Sequence, residues 1–86
     1  MTDDSKKPVF ERRLNHIRVG VWANRNEKGT WFNTVITRRY KDGEKWIDSN
    51  TFNGLADLAL AGEAQRLARD FITRAESDIE SQEGIE

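Results

Sequence analysis

The chain has 86 residues, no cysteine, a single histidine and a formal net charge of −1 at pH 7. This length allows one small domain, and the lack of cysteine excludes disulfide bonds, thiolate metal ligands and a cysteine nucleophile. No apolar run approaches membrane-spanning length, and the polar start of the chain lacks the apolar stretch of a secretory signal, so we expect a cytoplasmic protein without membrane contact.

The first predicted elements are an arm and two strands. Residues 1–8 are polar, as is typical of a flexible N-terminal arm. Segment 9–14 fits either a strand of its own or a bent extension of the next strand. Residues 16–25 alternate between apolar and polar side chains, which predicts a strand with one buried face. Residues 26–29, Asn-Glu-Lys-Gly, predict the turn that follows.

A second hairpin is predicted downstream. Residues 30–41 are rich in β-branched and aromatic side chains, which favour strands. Asp42-Gly43 is a strong hairpin signal, because both central residues of a type I′ turn need a positive φ. Residues 44–52 then supply the next strand.

The rest of the chain predicts a single helix. Asn53 is suited to cap its N-terminus, because the side-chain oxygen can accept a hydrogen bond from a free amide of the first turn. Asp57 suits the positive end of the helix dipole. Apolar residues three and four positions apart form one stripe along this helix: Leu60, Ala64, Leu67, Phe71 and Ala75.

These elements predict an α+β fold, with an antiparallel sheet of three to four strands followed by one long C-terminal helix packed on one face. The domain spans residues 9–77, between the arm at 1–8 and an acidic segment at 78–86 that we expect to be a disordered tail. Hydrophobic residues make up 36% of the chain and charged residues 34%, so the core is thin. A thin core favours a homodimer, because a shared interface buries area that the monomer cannot.

The predicted turns decide which side chains share a face of the sheet. A two-residue turn at the Asp-Gly pair places Arg39 opposite Trp46, and a four-residue loop between the preceding strands places Val19 opposite Ile36. The face toward the helix then carries Ile17, Val19, Val21, Phe32, Ile36 and Ile47. The opposite face carries His16, Arg18, Trp22, Trp31, Arg39, Lys41 and Trp46.

Charge is distributed unevenly along the chain. Residues 6–45 include eleven basic and four acidic residues, whereas residues 46–86 include three basic and nine acidic ones. Trp22 and Trp31 lie inside the basic half, and Trp46 follows it. Cations for phosphates, interleaved with rings for bases, are what a single-stranded nucleic acid site needs. The alternatives are a solvated face of ion-paired cations and a protein interface formed by the tryptophans.

No catalytic site is predicted. The sequence holds no catalytic triad, paired catalytic carboxylates, phosphate-binding loop or zinc-ligand spacing, and His16 fits an ordinary strand histidine. We therefore expect a protein without enzyme activity, cofactor, metal site or small-molecule substrate.

Two stretches resemble a known family. They are Phe10-Glu11-Arg12-Arg13-Leu14-Asn15-His16-Ile17-Arg18-Val19-Gly20-Val21 and Thr34-Val35-Ile36-Thr37-Arg38-Arg39-Tyr40-Lys41-Asp42-Gly43-Glu44. Through them, residues 9–77 resemble the single-stranded-DNA-binding domain of the transcriptional positive coactivator family known as positive cofactor four, and its bacterial relatives. The chain is also similar to small uncharacterised bacterial proteins through Val21-Trp22-Ala23-Asn24, Gly29-Thr30-Trp31, Arg39-Tyr40-Lys41-Asp42-Gly43 and Trp46. The coactivator resemblance implies a homodimer whose curved sheets bind single-stranded DNA in basic channels that bear aromatic residues.

The sequence thus predicts a non-enzymatic, sequence-tolerant domain that binds single-stranded DNA or RNA as a homodimer. The predicted phosphate contacts are Arg18, Arg38, Arg39, Lys41 and Lys45. The predicted stacking residues are Trp22, Trp31, Tyr40 and Trp46. The alternative hypothesis is a protein-interaction module whose tryptophan-rich sheet face is a homodimer or partner interface, with no nucleic-acid role.

Overall fold

A computed structural model describes residues 7–83 of the chain. Its elements are β1 (Phe10–Leu14), β2 (Ile17–Asn26), β3 (Gly29–Asp42), β4 (Lys45–Ser49) and α1 (Gly54–Glu83). The strands form one antiparallel sheet in the order β1-β2-β3-β4, and α1 packs against β1, β2 and β3 on one face. The predicted α+β architecture is confirmed. Within residues 7–83 there is no helix with the length and apolar character needed to cross a lipid bilayer.

Segment 9–14, for which the sequence left two possibilities, contains a strand of its own. A two-residue turn joins β1 to β2, with Leu14 paired to Ile17. Asn15 takes a φ of 61° in this turn, a left-handed conformation that asparagine tolerates. The alternating pattern placed His16 at the start of the second strand. In the structure His16 lies in the turn, one position before β2.

The register of β2 and β3 is the one that the sequence predicts. Val19 pairs with Ile36, as expected from the spacing. The connecting loop is shorter than predicted, because Asn26 and Gly29 also pair and leave a two-residue turn. The side-chain Oδ1 of Asn26 accepts a hydrogen bond from the Lys28 amide at 2.8 Å, which closes this turn.

The predicted register of β3 and β4 is wrong by two residues. Lys41, rather than Arg39, lies opposite Trp46, and Arg39 lies opposite Asp48. The reason is that the turn begins at Gly43, whose φ of 66° suits the first loop position, and not at the preceding aspartate. A shift of two leaves the side chains of β3 and β4 on their predicted faces, because side chains alternate with a period of two. His16, which the alternation placed opposite the helix, instead contacts Asp57 of α1.

The core lies between α1 and the middle of the sheet. Its fully buried members are Ile17, Val19, Val21, Ala64 and Ala68. Phe71 of α1 extends this core sideways, because its ring stacks on Phe10 of β1 at 5.0 Å and meets Phe32 of β3 edge-on at 6.2 Å. Of the predicted helix stripe, Leu60, Ala64 and Phe71 pack in this core, together with Ala68 and Ile72, which the predicted stripe did not include.

The start of α1 lies where the sequence predicts it, whereas its C-terminal end lies beyond the predicted one. The helix begins directly after Asn53, the predicted cap. It continues through residues 78–83, which the sequence assigned to the acidic tail. Most of the predicted arm, residues 1–6, and the end of the predicted tail, residues 84–86, lie outside the described residues.

Candidate nucleic-acid interface

We name the face of the sheet opposite α1 the outer face. It carries six of the nine predicted binding residues: Arg18, Trp22, Trp31, Arg39, Lys41 and Trp46. All three tryptophans lie here, as the alternation predicted. The other three predicted residues, Arg38, Tyr40 and Lys45, lie on the side of the sheet that faces α1. The structure therefore divides the predicted site between two faces.

Along β3 the two ends of the outer face carry different side chains. Trp31 lies near the β2–β3 turn, and Trp22 of β2 lies one pleat further on, opposite Asn33. Lys41 and Trp46 lie near the β3–β4 turn. Ten residues of extended chain separate Trp31 from Lys41, which corresponds to about 33 Å. Only Trp46 is therefore a close neighbour of the outer-face cations of β3.

Two cations lie beside the ring of Trp46. The Arg39 guanidinium carbon lies 4.9 Å from the centre of the indole ring, and the Lys41 Nζ lies 5.6 Å from it. Both distances fall within cation–π range. The side chain is nevertheless 57% exposed. An aromatic surface and two positive charges are thus presented to solvent together.

A cleft of about 460 Å³ adjoins this tryptophan, and its lining residues are Arg13, Asn15, His16, Arg18, Arg39, Trp46 and Asp48. Arg13 and Arg18 face each other across β1 and β2. Arg18 donates from Nε to Glu11 at 2.5 Å, whereas Arg13 and Arg39 form no ion pair within residues 7–83. The cleft therefore offers an anion two guanidinium groups that are not in an ion pair, together with the Asp48 carboxylate.

Trp22 lies flat on the sheet. A Cβ atom added at Gly20, two residues earlier on the same strand, would lie 2.8 Å from the far edge of the indole ring. The ring thus covers Gly20, and only glycine allows this close approach. Trp31 differs, since its side chain is 45% exposed. It lies opposite Asn24, whose buried Nδ2 has no hydrogen-bond partner in the part of the chain described.

A polar cluster joins the start of α1 to the sheet, and sequence reasoning did not find it. Asp57 is only 7% exposed. Its Oδ1 lies 2.6 Å from His16 Nε2, and its Oδ2 accepts from the Asn53 amide at 3.0 Å and lies 3.8 Å from Arg38 Nε. The Asn53 amide, followed by the imidazole of His16, holds the pKa of the Asp57 carboxyl below its ordinary value.

This cluster explains why Arg38 is not available to the outer face. Besides its approach to Asp57, Arg38 donates from Nε to the Thr51 carbonyl at 2.7 Å. Its guanidinium carbon also lies 4.7 Å from the ring centre of Tyr40. Two of the predicted binding residues therefore contact each other on the helix side. No local signal identifies this arrangement, because His16 and Asp57 are 41 residues apart in the chain.

Residues 7–83 contain no group of three or more His, Cys, Asp or Glu side chains that could hold a metal ion. The arginine-lined cleft and the exposed ring of Trp46 together suit binding of an anionic, aromatic ligand.

No protein-family model, curated protein or solved structure matches this chain.

Proposed function

We propose that this protein is a cytoplasmic, non-enzymatic domain that binds single-stranded DNA or RNA with little sequence preference, acting as a homodimer. The observation that carries the proposal is the Trp46 end of the outer face. There an exposed indole, two cations within 6 Å of its centre and an arginine-lined cleft are adjacent. Phosphates need the cations and bases need the ring.

Each part of this surface has a role in the proposal. Arg39 and Lys41 neutralise phosphates on either side of a base stacked on Trp46. Arg13 and Arg18 extend the positive surface along the cleft. Trp22 and Trp31 offer further aromatic surface to a strand that continues along the outer face.

Arg38, Tyr40 and Lys45 have a lesser role in the proposal, because they lie on the opposite side of the sheet. Arg38 supports the start of α1 through its hydrogen bond to Thr51 and its approach to Asp57, and Tyr40 contacts the Arg38 guanidinium. Lys45 adds positive charge to the surroundings of the β3–β4 turn.

The second candidate function is protein interaction through the tryptophan-rich face. The observation that favours it is the pair Trp31 and Val35, which are 45% and 49% exposed and lie on the outer face away from its cations. Exposed apolar patches on small proteins often contact other proteins.

A titration distinguishes the two functions. Fluorescence anisotropy of a labelled, unstructured oligonucleotide is followed at low and high salt as protein is added. We expect micromolar or tighter binding that weakens steeply with salt. Trp46→Ala is expected to weaken it by roughly 5- to 150-fold, which corresponds to the loss of one base stack.

The matched control is Leu58→Ala, since Leu58 is 54% exposed on α1, on the other side of the molecule. This control is expected to bind as the native chain does. If the native protein shows no binding at micromolar concentration in low salt, the nucleic-acid proposal is wrong and the interaction candidate replaces it.

A further inference from the structure

One edge of strand β3 is paired with a neighbouring strand over only part of its length. On its first side, residues 29–38 pair with β2. On its second side, β4 pairs only with residues 38–42. In the part of the chain described, residues 29–37 thus have no strand on the β4 side, and we name this row the free edge. Nine extended residues span about 30 Å.

The direction of the backbone groups follows from one hydrogen bond. The Arg39 amide donates to the His16 carbonyl at 2.8 Å, on the β2 side. Amides alternate along a strand, so odd-numbered amides of β3 point toward β2 and even-numbered ones point away from it. The amides of Phe32, Thr34 and Ile36 therefore point outward along the free edge.

The free edge lacks the features that normally prevent strand pairing. Residues 30–37, Thr-Trp-Phe-Asn-Thr-Val-Ile-Thr, include no charged residue and no proline, and most are β-branched or aromatic. Natural proteins protect such edges with lysine, proline, bulges or a covering element. At the centre of this edge, Asn33, Thr34 and Val35 are all exposed. By contrast, the uncovered end of β2 is short and includes Arg25.

We propose that the free edge pairs antiparallel with the free edge of a second copy of this chain, so that two four-stranded sheets join into one of eight strands. Pairing about Asn33 places Trp31 of each copy opposite Val35 of the other, and Phe32 opposite Thr34. Both members of each pair lie on the same face, as a continuous sheet requires. No charge meets a like charge anywhere along the row.

Two features favour a second copy over a foreign strand. The row is bounded by β4 at one end and by the β2–β3 turn at the other, so two such rows match each other in length. The part of the monomer that the structure describes also has a small core, with five buried hydrophobic residues. Pairing at the edge places the apolar side chains of Trp31 and Val35, which the monomer leaves exposed, against each other across the interface.

The joined sheet keeps the outer face open. A two-fold axis between antiparallel edges runs perpendicular to the sheet, so both outer faces point the same way. The Arg39 and Trp46 ends lie far from the axis, and the Trp31 side chains lie near it. Association by the edge and ligand binding by the outer face are therefore compatible. The edge proposal rests on the homodimer of the proposed function but does not depend on nucleic-acid binding.

Sedimentation velocity over a wide range of concentration, combined with hydrogen exchange of the backbone amides, tests the proposal. We expect a monomer–dimer equilibrium in which the amides of Phe32, Thr34 and Ile36 are protected at high concentration and exchange rapidly on dilution. A monomer at all concentrations overturns the proposal. So does a dimer in which these three amides exchange rapidly, since it would use another surface.

Variants at Thr34 separate pairing from folding. Thr34→Pro removes an amide that has no strand partner within residues 7–83, and proline is tolerated at such edge positions. Thr34→Lys keeps the amide but adds a charge of the kind that protects natural edges. Each is expected to raise the dimer dissociation constant at least tenfold, whereas the control Thr34→Val leaves it unchanged. If Thr34→Lys keeps a native circular dichroism spectrum and dimerises as the native chain does, the proposal is wrong.

Discussion

Trp46 combines exposure with two neighbouring cations, and this combination separates it from the other tryptophans. Trp22 lies against Gly20, and Trp31 lies about 33 Å along β3 from Lys41. In the proposed function, the nucleotide whose base stacks on Trp46 has Arg39 or Lys41 within reach of its phosphate. The three tryptophans of the outer face therefore differ in exposure and in their distance from its cations.

Asp48 is the residue whose charge opposes the proposed ligand. It lines the cleft and lies opposite Arg39, but the two form no ion pair within residues 7–83. Replacing it by asparagine removes a negative charge from the path of the phosphates. We expect Asp48→Asn to tighten oligonucleotide binding by about 2- to 5-fold at low salt, with the gain lost at high salt because screening shortens the range of the repulsion.

The measurement is the same anisotropy titration at two salt concentrations. Glu63→Gln is the matched control, because it removes one negative charge from the exposed side of α1. Weaker binding by Asp48→Asn would contradict a purely repulsive role for this carboxylate and would indicate that it accepts a hydrogen bond from the ligand.

The packing of α1 depends on small residues at its centre. Ala64 and Ala68 are 1% and 2% exposed and contact the buried residues of β2. Their short side chains allow the helix to approach the sheet closely, since packed interiors leave few voids. We expect Ala68→Leu to reduce the free energy of unfolding by about 1–3 kcal/mol through overpacking.

Ala59→Leu is the control for this change, because Ala59 lies on the exposed side of the same helix. Its effect is expected to stay within about 0.5 kcal/mol, as is usual for exposed positions. Urea denaturation of both variants measures the difference. Equal losses would show that the helix does not pack through these alanines.

The start of α1 links stability to pH. The lowered pKa of Asp57 means that its carboxyl binds a proton less readily in the folded chain than in the unfolded one. Its contribution to stability is complete above the ordinary value of 3.8 and is lost as the pH falls through the lower, folded value. His16 and Arg38 face this carboxylate, and the Asn53 amide donates to it.

We expect Asp57→Asn to be less stable than the native chain at pH 6, with the difference shrinking as the pH falls below 4. Urea denaturation at a series of pH values measures this. Glu63→Gln is again the comparison, because Arg66 also lowers the pKa of Glu63 but the pair is half exposed. A difference for Asp57→Asn that is the same at all pH values would exclude the titration of this carboxyl as its cause.

At the scale of the molecule, the outer-face cations and most of the acidic residues of α1 lie in different layers. The cations of the outer face lie on one side of the sheet, and α1, with most of the acidic residues of the second half of the chain, lies on the other. Within residues 7–83, only Asp57 forms ion pairs from the helix to the sheet side. The helix therefore does not neutralise the outer face, and the molecule can orient that face toward a polyanion despite its net charge of −1.

This separation predicts different salt dependences for arginines in the two layers. Arg39→Ala is expected to reduce the slope of log K against log salt by about 0.7, which corresponds to one phosphate contact with a single strand. Arg74→Ala, on the exposed side of α1, is expected to leave the slope unchanged. Titrations at four or more salt concentrations measure both slopes. Equal changes would mean that binding responds to total charge and not to the outer face.

Much of this fold is determined by the local sequence. The alternation in β2, the turn residues before β3 and the apolar stripe of α1 predict the elements and the shared core face, because period and turn chemistry are local properties. The same alternation places all three tryptophans on the outer face. It does so even though the β3–β4 register differs from the prediction by two residues.

Only the tertiary structure decided which of the predicted binding residues lie together. Arg38 contacts Tyr40 and the start of α1, and Asp57 meets His16, because the helix crosses the inner face of the sheet. Such contacts join residues far apart in the chain, and no local pattern encodes them. The sequence by itself determined the faces, since alternation depends on adjacent residues. The tertiary structure alone decided the neighbours between the sheet and the helix, since these depend on how the layers pack.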